Sequence, residues 1–436
     1  MNRWNERFGA ARSVLCSSAA LVLGAAGAQV PEPAAEVDRP TRVAALGDAA
    51  DAGVLRRVRD AFISAGDYDA ALGSAEQVVE AARGFDDPKL ADDIARLARI
   101  QAELENFDSA ELQYLEALEL IRDAEGEFSI TLADVYRGLG LTYVRARRFA
   151  EAVTALEQAQ HVVQRNLGLH NVSQTPLLDD LTTAYLGLGE TATAGRLQSQ
   201  RLENAVRSFG EHDPRVIPFR YRLANYYEQS RLRGAAREQY QEVVATLETL
   251  PEADEQALLA PLRQLMRIEM LFGDGDEART RLAGILERDP GIEAPERARS
   301  LAALGDWAVV HEDLESARGY YSRAYTLLDD APDEREVVFG EPVMLDFIAP
   351  LTAVDRATRS DPYAFGTILL EFDVSADGRA ANVRAVRAQP PGIVDGAYMR
   401  RVRETHFRPR IVDGVPRETN GVRFTHYFRY YVEEEE

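Results

Sequence analysis

Cysteine is all but missing: Cys16 is the single one in 436 residues. It lies in the apolar run from Val14 to Ala28, and the residue before it is Leu15, where a bacterial lipoprotein signal needs a small side chain. A chain processed beyond that run has no disulfide, no thiol nucleophile and no thiolate metal site. Lysine is as scarce, with Lys89 standing against 49 arginines, a coding bias on which no recognition argument is built. Downstream of residue 28 no apolar run is long enough for a transmembrane helix. Catalytic motifs are missing too. There is no H-E-x-x-H or paired-histidine spacing for a metal, no glycine-rich phosphate loop, and neither G-x-S-x-G nor S-x-x-K for a nucleophile. No cofactor, metal or catalytic residue is therefore expected, although 72 acids leave room for a chance carboxylate pair.

What is present begins with an export signal. Arg3, Arg7 and Arg12 precede the apolar run, and Ala26-Gly27-Ala28 has the small-x-small form of a cleavage site. Residues 1–28 read as a signal peptide, with the mature chain starting at Gln29 and a flexible segment over 29–49. The run is shorter than the roughly 20 residues that span a bilayer. Cleavage leaves a soluble periplasmic protein; retention leaves an inner-membrane anchor facing the periplasm, and the mass of the mature amino terminus separates the two.

Charge narrows the partners. The chain carries a net −22, and about −24 once residues 1–28 are removed. Residues 361–436 contribute only −1, from 11 arginines and 12 acids, so the deficit belongs to residues 29–360. Such a surface repels nucleic acid and anionic headgroups, which sets both aside.

The acidic part repeats. Ala71, Ala110, Ala152, Ala194, Ala236, Ala278 and Ala317 each follow a helix break, at spacings of 39, 42, 42, 42, 42 and 39 residues. Seven units of nearly constant length make a solenoid. Within a unit, Leu139, Gly140 and Tyr143 fall on a first helix, and Ala152, Leu156 and Ala159 follow at helical spacing on a second. Leu139-Gly140-Leu141-Thr142-Tyr143 followed by Ala152 resembles the tetratricopeptide repeat, and the longer period resembles its kinesin-light-chain-like subtype. That resemblance implies an α-solenoid over residues 50–330 that binds proteins. His170 and His212, 42 residues apart, sit at one place in successive units and read as loop residues packing or capping the next helix. His161 and His311 have no acids at metal-ligand spacing.

Proline and acids over 329–343 mark a boundary, with a linker at 331–345 and a second domain over 346–436. There the pattern turns to strands. Ile368, Leu370, Phe372 and Val374 alternate on one face, Asp377-Gly378 signals a hairpin, and 380–389 reads as the second strand. A short helix follows with Val394, Ala397, Tyr398 and Val402 on its buried side. A second turn at Asp413-Gly414 leads to a last strand that ends in aromatics and arginines. The expected class is mainly α, a solenoid followed by a small β-β-α-β domain.

Gly366, Asp377-Gly378, Phe407-x-Pro409, Asp413-Gly414-x-Pro416 and the aromatic last strand together resemble the carboxyl-terminal domain of TonB-family proteins. His406 stands where many relatives carry tryptophan and reads as a packing substitution. The resemblance implies a module that receives an extended segment of an outer-membrane transporter. Along the last strand Val422, Phe424, His426, Phe428, Tyr430 and Val432 alternate with Arg423, Thr425, Tyr427, Arg429 and Tyr431, and the second set is the candidate peptide-binding face. The competing role is that the strand is core and that Glu433 to Glu436 guard its edge by charge.

The functional expectation is a non-enzymatic periplasmic scaffold that binds proteins or peptides. Two other classes stay open: an anchored energy transducer acting on outer-membrane transporters, and an envelope-remodelling enzyme, which would need a pocket of perturbed acids or histidines.

Overall fold

A computed structural model describes residues 52–85, 87–250, 255–272, 276–352 and 363–431. The expected signal at 1–28, the expected flexible segment at 29–49, Val432 and Glu433 to Glu436 lie outside them. Among the described residues no helix is long and apolar enough to cross a membrane.

Seven helix–turn–helix units follow one another. They are α1 (Ala52–Ser64) and α2 (Tyr68–Gly84), α3 (Leu90–Glu103) and α4 (Phe107–Glu125), α5 (Thr131–Arg145) and α6 (Phe149–Leu167), and α7 (Thr175–Gly187) and α8 (Thr191–Phe209). Then come α9 (Ile217–Gln229) and α10 (Arg233–Glu248), α11 (Leu259–Phe272) and α12 (Asp276–Arg288), and α13 (Ala294–Val310) and α14 (Leu314–Leu327). All seven repeat alanines are buried, none more than 3% exposed, because each lies where two helices approach too closely for a larger side chain. The glycines of the repeat obey the same limit. A Cβ at Gly140 would meet Leu156 Cγ at 2.6 Å, and one at Gly305 would meet the Tyr321 ring at 2.4 Å.

The described turns within units share a geometry that their sequences hide. Gly66, Glu105, Arg147, Gly189, Arg231 and Glu312 all adopt left-handed φ between 60° and 79°. After each, the next amide donates back to a carbonyl five residues earlier, at 2.7–3.0 Å. This helix-ending turn satisfies carbonyls that the helix would leave unpaired. Only two of the six positions are glycine, so four residues accept the left-handed cost for the sake of the register.

The apolar core runs through units one to four and resumes in unit five. Between them α8 departs from the repeat. Gln198 stands where other units have Leu156, Tyr240, Leu282 and Tyr321, and Arg201 where they have Ala159, Val243, Ile285 and Ala324. Both are buried, and Gln198 Oε1 finds no partner.

Past α14 the expected linker is structured. Residues Pro332–Phe339 form α15, and Val338 and Phe339 are buried against the last unit. Strand β1 (Val343–Met344) then pairs antiparallel with β4 (Phe407–Arg408). Strands β2 (Tyr363–Val374), β3 (Ala380–Gln389) and β7 (Thr419–Tyr431) form an antiparallel sheet in the order β3–β2–β7, and β5 (Arg410–Val412) with β6 (Val415–Arg417) makes a hairpin. Asp413 and Gly414 both take positive φ, the backbone that a two-residue hairpin turn demands. Helix α16 (Asp395–Glu404) covers β3. The β-β-α-β order expected from the sequence is present as β2, β3, α16 and β7. Ile368, Leu370, Phe372 and Val374 are at most 1% exposed, and they pack with Val383, Val394, Tyr398, Val402, Phe407 and Phe428. Ala397 is a correction: it is exposed, and Met399 takes the inward place.

The sheet module is docked on the array, and residues from 55 onward make one compact unit. Arg408 reaches both oxygens of Asp306 on α13, at 2.7 and 2.6 Å, and donates to the Val338 carbonyl at 2.7 Å. Tyr321 adds a hydroxyl donor to Asp306 at 2.9 Å. Burial alone would lower the Arg408 pKa, but the Asp306 charge reverses this and holds it above its ordinary value. Ile411 and Leu345 enter the core of the last three units, so the module closes the apolar end of the solenoid.

Candidate functional site

Strand β7 pairs on one side with β2, in a register that sets Tyr427 opposite Thr367 and Arg423 opposite Glu371. Its other side carries no strand among the described residues. It is thus an edge strand of the described sheet, the position in a sheet where a further strand can pair.

The side chains alternate as the sequence predicts. Phe428 is buried and Val422, Phe424, His426 and Tyr430 are partly buried on the face shared with α16. Phe347, Tyr398, Phe424 and His426 form an aromatic cluster there, with Phe347 and Phe424 centroids 5.1 Å apart and Tyr398 and His426 also 5.1 Å apart. Gly366 on β2 makes room for Phe428, since a Cβ would meet that ring at 2.5 Å.

The candidate residues Arg423, Thr425, Tyr427, Arg429 and Tyr431 share the opposite face. Arg423, Thr425 and Tyr427 are exposed, Tyr427 at 64%, and Arg429 and Tyr431 are half-buried. Phe365 of β2, opposite Arg429, is 71% exposed and extends the aromatic surface. Glu371 bridges the three strands: Arg384 of β3 and Arg423 of β7, the latter at 3.0 Å, both donate to it. Arg384 first and then Arg423 lower the Glu371 pKa. Asp373 accepts from Asn382 at 2.6 Å and from the Gly421 amide at 2.9 Å, and those bonds lower its pKa. The edge strand is thereby pinned to the sheet at its start.

Two histidine readings change. His406 is more than a packing residue: its ring nitrogen lies 2.7 Å from Asp346 and its amide donates to the same carboxylate at 2.7 Å, so it ties residues 345–346 to the module. The cap positions after the unit loops belong to Asn171 and Asp213, whose side chains accept from the amides of Ser173 and Arg215. His170 meets Asn204 at 3.3 Å instead, and His212 is exposed. Sequence reasoning also missed the contacts of Arg408 with Asp306, 102 residues away, and of Arg231 with His426, 195 residues away. No local pattern marks pairs so distant.

Comparison with known families agrees with both halves. Residues 90–162 match the tetratricopeptide repeat, and residues 363–429 match the Gram-negative bacterial TonB protein C-terminal. The chain joins a tetratricopeptide-like solenoid to a small sheet module that matches the TonB C-terminal family. Tetratricopeptide repeats are protein-interaction scaffolds, and the TonB-type domain points to the cell envelope. No curated protein matches the chain. Similar solved structures include BtubC (BKLC) from P. vanneervenii, with 23% identity over 50% of this chain and 88% of that one and a TM-score of 0.38. A putative kinesin light chain from Podosopora anserina with nearly identical TPR-like repeats shares 20% identity over 45% and 95% of the two chains, at a TM-score of 0.37. Pseudomonas aeruginosa pilF shares 19% over 55% and 92%, at 0.34.

Proposed function

We propose that this chain is a non-enzymatic scaffold of the periplasm whose β7 edge receives an extended peptide segment as an added strand, in connection with outer-membrane transport. The observation that carries the reading is the open edge of β7, set in a face of arginines and aromatics. Main-chain hydrogen bonds supply affinity in such an arrangement, and alternate side chains supply selectivity. The array is the acidic partner-holding arm, and a basic partner bound there is released as salt screens the charges. Export by residues 1–28 with cleavage before Gln29 belongs to the same proposal.

A photoreactive residue placed at Tyr427, in cells of the source bacterium, tests it. The reading expects crosslinks to an extended segment of an outer-membrane transporter, identified by mass spectrometry, and none from the same probe at Asn382 on the opposite edge strand β3. Equal crosslinking from both positions, or crosslinks from Tyr427 to folded surfaces only, would contradict it.

A further inference from the structure

The middle of β7 does not stand alone on its inner side. Arg231, in the turn between α9 and α10, brings Nη2 to 3.2 Å from His426 Nε2. That turn is rigidly built, with Arg231 at φ 61° and the Leu232 amide donating to the Tyr227 carbonyl at 2.7 Å. The array thus contributes a defined turn beside the middle of the strand.

The turn is also out of keeping with its surroundings. Residues 55–352 hold 32 basic and 53 acidic side chains, a net −21. Here Arg231, Arg233 and Arg267 gather with Glu228 as the nearby acid, and Glu228 is already paired with Arg267. Burial, then the charges of Arg231 and Arg267, lower the Arg233 pKa. Leu232, between the two arginines, is 53% exposed. So an acidic solenoid brings a locally cationic turn, through Arg231, against the strand whose outer face carries Arg423 and Arg429.

A strand added to β7 sends successive side chains to opposite faces. Those on the outer face lie beside Arg423, Tyr427 and Arg429, and those on the inner face lie toward Arg231, whose neighbour in the cationic turn is Arg233. We propose that the β7 groove is a composite site, walled on its inner side by the α9–α10 turn of the array, and that it selects an acidic extended peptide. The inference rests on the strand-addition reading of β7 and adds to it a partner chemistry and a role for the solenoid. It also gives the array a reason to be joined rigidly to the module through Arg408 and Asp306, since the wall must stay in register with the edge.

Fluorescence anisotropy on the full chain tests this with two ten-residue peptides that share valine, threonine and tyrosine positions and differ only in carrying four glutamates or four glutamines. The glutamate peptide is expected to bind about tenfold or more tightly than its glutamine twin, as charge complementarity sets specificity. The double variant Arg231→Glu, Arg233→Glu is expected to remove most of that preference. Arg147→Glu, at the equivalent turn of the third unit, is expected to leave it intact. Equal binding of the two peptides by the unaltered chain, or an undiminished preference in the double variant, overturns the composite wall while the edge reading stands. Tighter binding of both peptides by the double variant also overturns it, because the turn would then be a barrier. A glutamate peptide methylated on alternate backbone nitrogens is expected to lose binding. If it binds as well as the parent, or if neither peptide binds the unaltered chain, strand addition itself fails and this inference with it.

Discussion

The array and the sheet module hold themselves together differently, and the difference decides what each offers a partner. Away from their ends the helices of the array satisfy their backbone internally, so the array's surface presents mainly side chains, and its charge is acidic: −21 over residues 55–352. The module, with 11 basic and 7 acidic residues over 363–431, has in β7 a strand with a strand partner on one side only among the described residues. On the proposed reading, recognition of a peptide main chain falls to the module, and recognition by charge is shared. The module also closes the solenoid, because Ile411 and Leu345 complete the core of its last units.

The largest effect is expected where the two parts meet. Arg408→Ala leaves the Asp306 carboxylate, whose side chain is 9% exposed, without its cation and with the Tyr321 hydroxyl still donating to it, and losing one partner of a buried pair costs about 3–5 kcal/mol. Urea unfolding and limited proteolysis should show the module loosened before the array melts. Arg318→Ala, which breaks the exposed pair with Asp377, should cost under about 1 kcal/mol. Equal costs would mean that the buried pair is not what joins the parts.

Within the array, Ala236→Leu should overpack the fifth unit and cost about 1–3 kcal/mol, while the exposed Glu238→Ala should change stability by less than about 0.5 kcal/mol. An unchanged melting temperature for Ala236→Leu would contradict the repeat register. Gln198→Leu, which restores the apolar residue of the other units and removes an unpartnered buried oxygen, should stabilise the chain by about 1 kcal/mol. Destabilisation by that change would show the polar layer at α8 to be required.

The smallest effect is electrostatic and confined to the sheet. Glu371 has a folded pKa lowered by Arg384 and Arg423, so its contribution is present above the unfolded carboxylate pKa and is lost as pH falls through the lowered folded value. A carbon-13 titration should place its midpoint below the ordinary carboxylate range, and Arg423→Gln should move it upward. An unmoved midpoint would mean that Arg423 does not hold the sheet face in place.

Much of the array was legible because a repeat writes its packing several times over: seven alanines at near-constant spacing named seven close approaches. The strands of the module were legible for a related reason, since Ile368 to Val374 and Val422 to Tyr430 alternate with period two. Edge position was not, because it depends on which strands pair. The left-handed turns were hidden at Glu105, Arg147, Arg231 and Glu312, where no glycine signals them. Helix α15 was masked by the proline and acids that open it, and Val338-Phe339 is too short an apolar pair to announce burial. Arg408 with Asp306 and Arg231 with His426 arise only from the folded arrangement.

The central claim is that β7 accepts a strand, and hydrogen exchange reads it most directly. The full chain is exchanged with and without saturating glutamate peptide, and peptic fragments covering 419–431 are compared with those covering 380–389. Strand addition predicts new protection in 419–431 alone, because backbone amides that faced solvent become donors to the peptide. Protection confined to the array, or equal protection of the β3 edge, would contradict it.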